Sequence, residues 1–188
     1  MKSTLGILCL LFIYSLALCQ SAKDVKKSKI KAITIWQSTK ESGPESPIKE
    51  SYEAFDRSGN TILKIAYKPD GSVDTKETAR YDKNENKVEE FKYDGDSQVG
   101  SHKTWVYDKF QNKIEEDEFS PSGELNKKTT FTYTPAGDKL FETIMDANGN
   151  VLKKVEYRYN VRNLKVQRLT TNKVKQVESV KKWGYEYY

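Results

Sequence analysis

Residues 107–132 read YDKFQNKIEEDEFSPSGELNKKTTFT, and this stretch decides the fold because its pattern recurs along the chain every 26 residues. Each unit opens with an aromatic residue, at Phe55, Tyr81, Tyr107, Tyr133 and Tyr159. A second series lies 12 residues after four of these starts, at Tyr67, Tyr93, Phe119 and Met145. A constant period of this length is typical of a modular array, in which one supersecondary unit is rebuilt several times.

Each period accommodates two strands of about eight residues and two turns of four or five. Residues that favour turns fall where this scheme needs them, at 57–60, 69–71, 121–123, 135–138 and 147–150. Pro presets one backbone dihedral, and Gly, Asn and Asp accept the left-handed conformation. The predicted fold class is therefore all-β: an open, twisted antiparallel meander of about ten or eleven strands, built from 26-residue hairpin repeats.

The repeat also predicts where the strands lie: 48–56, 61–68, 73–82, 87–94, 99–108, 113–120, 124–134, 139–146, 151–160 and 164–171. An earlier strand is expected at 31–38, followed by a longer loop at 39–47 that contains Gly43, Pro44 and Pro47. The tail 173–188 is expected to form either a last strand or an aromatic cap on the end of the sheet.

An aromatic strip is predicted on one face of the sheet. Neighbouring residues of a strand point to opposite faces, so aromatic residues at alternate positions share a face. The strip consists of Trp105, Tyr107, Phe131, Tyr133, Tyr157 and Tyr159, which are expected to stack across the array. Exposed rings can stack on sugars or hold a partner, which makes the strip the candidate ligand-binding surface. The alternative is that these rings only hold the sheet together.

An aliphatic series is out of phase with the unit-start rings. It lies seven residues after each of them, at Ile62, Val88, Ile114, Leu140 and Val166. In an unbroken strand the two series would fall on opposite faces. Either a β-bulge restores the phase near the turn, or the aliphatic residues pack on the second face; the second interpretation is preferred.

The first 19 residues have the character of a secretory signal peptide. Lys2 supplies the positive end, and Leu5 to Cys19 is almost wholly apolar but too short for a membrane span. Cleavage is expected after Cys19, which leaves Gln20 as the new terminus; a lipoprotein signal with an acylated Cys19 is the alternative. The predicted organisation is a signal peptide at 1–19, a leader with the first strand at 20–47, and a β-repeat domain at 48–188.

Charge and cysteine content limit the possible functions. Charged residues make up 31% of the chain and the net charge is +5, with both signs mixed along the strands. This mixture indicates a solvated surface rather than a nucleic-acid interface, and no transmembrane span is expected after cleavage. Both cysteines, Cys9 and Cys19, lie in the signal, so no disulfide is expected. The basic stretch 23–31 is interpreted as a solvated leader rather than a binding patch.

The chain lacks the usual parts of a catalytic or metal site. His102 is the one histidine and is expected on a strand, opposite the aromatic face, as a surface or cross-strand residue. Carboxylate pairs such as Glu89-Glu90 are typical of cross-strand ion pairs. The segments 82–86 and 146–150 resemble half of a calcium loop but lack its later Gly and Glu, so turn chemistry is favoured. No enzyme activity, cofactor or metal is predicted.

The motif Tyr-Asp-x-x-Gly-Asn resembles the YD repeats of the Rhs family. Residues 55–60 match it with Phe in place of Tyr, and residues 81–86 and 107–112 match it except at Gly. Residues 145–150, which belong to the second series of the repeat, match it with Met in place of Tyr. That family builds β-sheet shells from very many repeats, and five units cannot enclose a cavity. The chain also resembles small secreted repeat proteins of Bacteroidetes that have no assigned activity. The resemblance covers about 55–170 and implies fold and export.

These observations favour an exported, non-catalytic binding or scaffold module of the cell envelope, periplasmic or secreted. The first alternative is a protein that binds carbohydrate or peptidoglycan through the aromatic strip; a hydrolase is the second. An envelope glycan or protein is the expected partner. The sequence leaves the oligomeric state open.

Overall fold

The computed structural model describes residues 22–38, 47–95 and 98–188. Within these ranges lie one short helix, α1 (Ala22–Ser28), and twelve antiparallel strands. The strands are β1 (Ala32–Gln37), β2 (Ile48–Phe55), β3 (Thr61–Tyr67), β4 (Val73–Tyr81), β5 (Lys87–Asp94), β6 (Gln98–Tyr107), β7 (Lys113–Phe119), β8 (Leu125–Tyr133), β9 (Lys139–Asp146), β10 (Val151–Tyr159), β11 (Lys165–Asn172) and β12 (Val177–Lys182).

All twelve strands form one sheet in which spatial order equals chain order, so β1 and β12 are its two edges. The predicted all-β meander is confirmed. The expected strand at 31–38 is present as β1, and the tail supplies β12, which brings the number of strands to twelve. The expected signal peptide and residues 39–46 of the expected loop lie outside the described residues.

Nine turns between strands share one backbone geometry. In the turn 56–60, the N–H of Asp56 donates to the carbonyl of Asn60 at 3.0 Å, and the N–H of Gly59 donates back to Asp56 at 3.1 Å. The fourth turn residue always has a positive φ, and the nine residues are Gly59, Gly71, Glu85, Gln111, Gly123, Gly137, Gly149, Asn163 and Lys175. This is the three-residue hairpin loop that closes with one left-handed residue.

Each hairpin also contains a one-residue shift of register early in its second strand. Tyr107 pairs with Lys113 and Val106 with Glu115, which leaves Ile114 without a partner. The same shift falls at the other members of the aliphatic series: Ile62, Val88, Leu140 and Val166. The preferred interpretation, in which unbroken strands carry this series on the second face, is therefore wrong. A bulge lies there instead, because two residues of one strand oppose one of the next.

The sheet buries little on either side, and its best-shielded residues lie on one face of β8, β10 and β11. Phe131, Val155 and Thr170 are all buried there. Phe131 and Val155 both pair with Glu142, and Val155 also pairs with Thr170, so the three residues share a face. Strands contact mainly their immediate neighbours, so this face is covered by long side chains of adjacent strands rather than by a second layer.

Helix α1 contradicts the expectation of a solvated leader at 23–31. Its Val25 is only 1% exposed, and the helix packs against the turn 56–60. Gly59 makes this approach possible, because a Cβ at that position would collide with the carbonyl oxygen of Ala22. Lys26 extends to the next turn and forms an ion pair with Glu85 at 3.1 Å. The apolar Val25 within the basic stretch is the reason the segment folds onto the sheet.

Candidate functional site

A ladder of tyrosine hydroxyls runs along one face and joins each unit-start tyrosine to the neighbouring strand of the preceding module. Tyr107 donates to the carbonyl oxygen of Lys87 at 3.0 Å, and Tyr133 donates to that of Lys113 at 2.6 Å. Tyr81, Tyr159 and Tyr185 make the same bond to Thr61, Lys139 and Lys165. Donor and acceptor are always 20 residues apart. Partial burial of the rings raises the pKa of Tyr107 and Tyr133, which keeps both hydroxyls protonated as donors.

The strip residues share one face as predicted, but they do not stack on one another. They come from β6, β8 and β10, which lie about 10 Å apart because a strand intervenes between each pair. Lysines of the intervening strands fill the gaps. Lys139 Nζ lies 4.6 Å from the ring centre of Phe131 and 5.9 Å from that of Tyr157. The prediction of ring-on-ring stacking is therefore wrong, and alternating cation–π contacts replace it.

Glutamates of the same face anchor these lysines and accept hydrogen bonds from the rings. Glu116 accepts from Lys113 Nζ at 2.6 Å and from Trp105 Nε1 at 3.0 Å. Glu142 accepts from Lys139 Nζ at 2.7 Å and from the Tyr157 hydroxyl at 2.9 Å. Partial burial raises the pKa of Glu116, but the bonds from Lys113 and Trp105 outweigh it and hold the pKa below its ordinary value. These glutamates are thus kept ionised as acceptors and are unsuited to act as general acids.

Exposure differs among the six predicted strip residues. Phe131 is 8% exposed and Tyr157 is 9% exposed, so neither presents a ring face to solvent. Trp105, Tyr107, Tyr133 and Tyr159 are partly buried. The strip is one contiguous band of Lys, Glu and aromatic side chains, and most of its polar groups already have partners within it. Ligand binding by the strip stays a prediction.

The aspartates that resemble half of a calcium loop are built into the turns. Asp146 Oδ1 accepts from the backbone N–H groups of Asn148 and Asn150, both at 2.9 Å, and Oδ2 accepts from the Asn150 side chain at 3.0 Å. Asp82 makes the same bonds within its own turn. The bond from the Asn150 side chain, followed by that from its N–H, lowers the pKa of Asp146. Both carboxylates organise the loop that carries them.

His102 lies on the opposite face in a cross-strand stack, as expected. Its ring centre is 3.9 Å from that of Phe91 and 4.7 Å from that of Phe119, and its Nε2 lies 3.1 Å from Glu89 Oε1. Phe91 and Phe119 are its direct partners on the neighbouring strands. A ring packed on both sides supports the sheet and offers little access to a substrate.

One end of the sheet, here called the tyrosine edge, consists of the five turns that follow the unit-start aromatic residues: 56–60, 82–86, 108–112, 134–138 and 160–164. Helix α1 packs against the first turn of this edge, and its Lys26 forms the ion pair with Glu85 in the second. The C-terminal tail covers the last one, where Arg162 lies 4.4 Å over the Tyr187 ring. Neither α1 nor the tail contacts the two middle turns, 108–112 and 134–138, in the described part of the chain.

A groove of about 670 Å³, here called the central groove, lies between these two middle turns. Its lining includes Phe110, Ile114, Tyr133 and Pro135, and Phe110 is 73% exposed. Asp108 is the one charged residue that lines it. Phe110 is absent from the predicted strip. The signal that could have found it is the break in the repeat, since the same turn position carries Ser58, Asn84, Ala136 and Arg162 in the other modules.

In the part of the chain that the structure describes, no three side chains of His, Cys, Asp or Glu are grouped to hold a metal ion. No helix among the same residues has the length and apolar character that crossing a membrane requires. The expectation that the protein has no enzyme activity stays a prediction.

Comparison with known proteins gives only distant likenesses. No family model and no curated protein matches the chain. Among solved structures the chain is similar to TcdB2-TccC3-TEV, with 9% identity and a TM-score of 0.33. The match covers 80% of this chain but only 11% of that one. A mutant of S. aureus TarM shows 15% identity and a TM-score of 0.21 over 81% of this chain and 24% of that one.

A Bacteroides fragilis protein of unknown function has a length similar to that of this chain. It shows 12% identity and a TM-score of 0.13, with 84% of this chain and 96% of that chain covered. These likenesses are too weak to define a family or an activity for the protein.

Proposed function

We propose that the protein is an exported, non-catalytic binding or scaffold module of the cell envelope. One observation carries the proposal: in successive modules, the polar side chains that could act in catalysis already make hydrogen bonds or ion pairs that stabilise the sheet. Tyrosine hydroxyls bond to backbone carbonyls, aspartates bond within turns, and glutamates bond to lysines. What the array offers to other molecules is an extended surface, which suits binding and spacing better than turnover.

The proposal includes a relationship of the modules to YD repeats. Each residue type of the motif has a task that would constrain it: the Tyr hydroxyl joins two modules, the Asp carboxylate fixes the turn, and Asn bonds back to Asp. The residue before Asn takes a positive φ, which favours Gly there. The motif residues therefore determine the structure of one hairpin, whatever the number of hairpins in the array.

Export is tested by the mass of the N-terminal peptide of protein recovered from the producing organism, together with its distribution between cytoplasm, membrane and medium. Cleavage after Cys19 predicts a peptide that begins at Gln20. A diacylated or triacylated Cys19 would assign the lipoprotein form, which is also exported. Intact Met1 on protein confined to the cytoplasm would contradict the proposal.

A second candidate function is the binding of a neutral saccharide, and the lining of the central groove favours it. Only one of its eleven lining residues is charged, in a chain that is 31% charged, and three are aromatic. Sugars combine apolar C–H faces with hydroxyl groups, so they suit a groove that is aromatic yet polar and almost uncharged. Ring-containing surfaces of low charge are also typical of the centres of binding interfaces.

Titration with neutral oligosaccharides separates the groove from the strip. Binding through the groove should weaken at least tenfold in Phe110→Ala and be unchanged in Trp36→Ala, which removes an exposed ring at the distant edge strand β1. Binding through the strip should instead weaken in Trp105→Ala and Tyr159→Ala, since neither residue lines the groove, whereas Tyr133 belongs to both surfaces. If no oligosaccharide binds, or if all four variants bind like the unmodified protein, neither surface is a saccharide site.

A further inference from the structure

A second groove, of about 760 Å³, lies between α1 and the first turn of the tyrosine edge. We propose that this groove, here called the basic groove, binds an anionic amphiphile: one acyl chain that carries a carboxylate or phosphate group. The inference rests on the proposed export, because free amphiphiles of this kind are met at the envelope. It gives the binding module a ligand class and a site.

The apolar part of the groove consists of Val25, Ile30 and Phe55. Helix α1 places Val25 against the sheet, and Ile30 follows it through a backbone hydrogen bond from its N–H to the Val25 carbonyl at 3.0 Å. Phe55 holds the unit-start position that is tyrosine in the later modules. The repeat therefore loses its hydroxyl at the one unit start that lines this groove. A volume of this size accommodates a single acyl chain.

The charged residues that line the groove are almost all basic. Lys26, Lys29, Lys31 and Arg57 all line the groove, against the single acidic residue Asp56. The Asp56 carboxylate is already engaged in its turn, since Oδ1 accepts from the N–H groups of Ser58 and Asn60 at 2.8 and 2.9 Å. It therefore stays in the turn as the one negative charge of the lining, against the four positive charges.

Three of the four cations lie outside ion-pair distance of every carboxylate in the described part of the chain. Lys26 is paired with Glu85. Among the described residues, no carboxylate lies within ion-pair distance of Lys29, Lys31 or Arg57. Elsewhere in the array lysines are regularly paired, for example Lys113 with Glu116 at 2.6 Å and Lys139 with Glu142 at 2.7 Å. Unpaired cations beside an apolar cavity are complementary to an anionic head group on an apolar chain.

The repeat supplies a matched control for the head-group contact. Arg57 occupies the second position of the first turn, and Lys83 occupies the same position of the next turn, 26 residues later. Lys83 does not line the basic groove. Charge reversal at either position changes the net charge equally, so only a local contact distinguishes Arg57→Glu from Lys83→Glu.

The test is calorimetric titration of the exported protein with four twelve-carbon amphiphiles, each below its micelle concentration. Dodecanoate and dodecyl phosphate should bind at one site per chain, whereas dodecyl maltoside and dodecyltrimethylammonium should bind at least tenfold more weakly. Arg57→Glu should weaken dodecanoate binding at least tenfold, Lys83→Glu less than twofold, and added salt should weaken the binding in the unmodified protein. Lys31→Glu provides a second head-group variant if Arg57→Glu unfolds.

Several results would overturn the inference. Equal binding of the cationic and anionic amphiphiles, or equal effects of the two charge reversals, would remove the site. Binding to phosphatidylglycerol vesicles without binding of monomeric dodecanoate would assign the cations to a membrane surface instead. The mass of the N-terminal peptide, measured on the same sample, separates the two proposals: a peptide starting at Gln20 without dodecanoate binding overturns this inference alone, and intact Met1 contradicts export.

Discussion

The Tyr133 hydroxyl donates a hydrogen bond to the carbonyl oxygen of Lys113 at 2.6 Å, and these two residues belong to successive modules. Tyr133 ends β8 and Lys113 begins β7, so the bond reinforces the contact between two strands that also pair directly. It satisfies a carbonyl at the bulge, where the regular ladder of the sheet is interrupted. The same bond recurs at every later unit start, so the array is held by side chains as well as by strand pairing.

Tyr133→Phe should therefore cost about 1–2 kcal/mol of unfolding free energy, since it removes one hydrogen bond and leaves a partly buried carbonyl without its partner. Tyr187→Phe is the control, because that ring is exposed. Denaturant unfolding of both variants measures the difference. An equal effect of the two substitutions would show that the ladder contributes no stability.

Val155→Ala should destabilise the protein by about 2 kcal/mol, because Val155 is only 1% exposed and lies under the side chains of its neighbours. Val161→Ala removes the same methyl groups from a residue that is fully exposed in a turn, and it should have no measurable effect. Thermal unfolding of the pair tests whether a sheet of this kind has a true core. A small effect at both positions would argue that it has none.

Gly149→Ala and Gly59→Ala should differ although the two glycines have similar φ values of 81° and 88°. A Cβ at position 149 would meet nothing within 4 Å, so this variant reports the conformational cost alone, about 1 kcal/mol. At position 59 a Cβ would collide with the backbone of α1, so the cost should be larger and the helix should detach. Circular dichroism and proteolysis near residue 28 would detect detachment; equal costs would mean that α1 does not dock in solution.

The aspartate turns should make the protein sensitive to acid. The folded pKa of Asp82 is lowered, first by the Asn86 side chain and then by its N–H, as is that of Asp146 by Asn150. A group whose pKa is depressed on folding contributes stability above its unfolded pKa, near 3.8, and that contribution is lost as pH falls through the folded value. The melting temperature should accordingly fall below about pH 4.

Asp146→Asn separates charge from geometry at this turn. Asn160 already accepts backbone bonds from Arg162 and Leu164 at 2.9 and 3.0 Å, so an amide can fill this position. Asp146→Asn should retain most of the stability at pH 7 and lose part of the acid dependence, whereas Asp146→Ala should lower the melting temperature at pH 7 by a few degrees. An acid dependence unchanged in Asp146→Asn would show that the charge of this turn does not contribute to it.

The repeat made the architecture predictable because a fixed period repeats one local solution many times. Strand positions and turn positions followed from it, and even Tyr185, in the tail, keeps the period and makes the ladder bond. The bulge at Ile114 was misjudged because alternation along an ideal strand carries no information about inserted residues. The lysines between the rings were missed as well, since their position depends on which strands are neighbours and not on spacing within one strand.

The candidate sites were harder to anticipate than the fold. The strip follows from periodic residues, whereas both grooves form where the period fails: at Phe110 in a turn, and at Phe55 beside a helix. Helix α1 lies outside the repeat, so the period does not predict it. Its seven residues also give too short a pattern to distinguish a helix from a charged coil. In this chain, regularity indicates structure, and departures from regularity indicate the surfaces open to other molecules.

Every junction between modules has the same turn, bulge and tyrosine hydrogen bond. The width of the sheet is therefore proportional to the number of modules. Duplicating one 26-residue segment would add two strands, about 10 Å of sheet, and would recreate an identical junction on each side of the insertion. The sheet can thus lengthen in evolution by whole modules, without any new type of junction between strands.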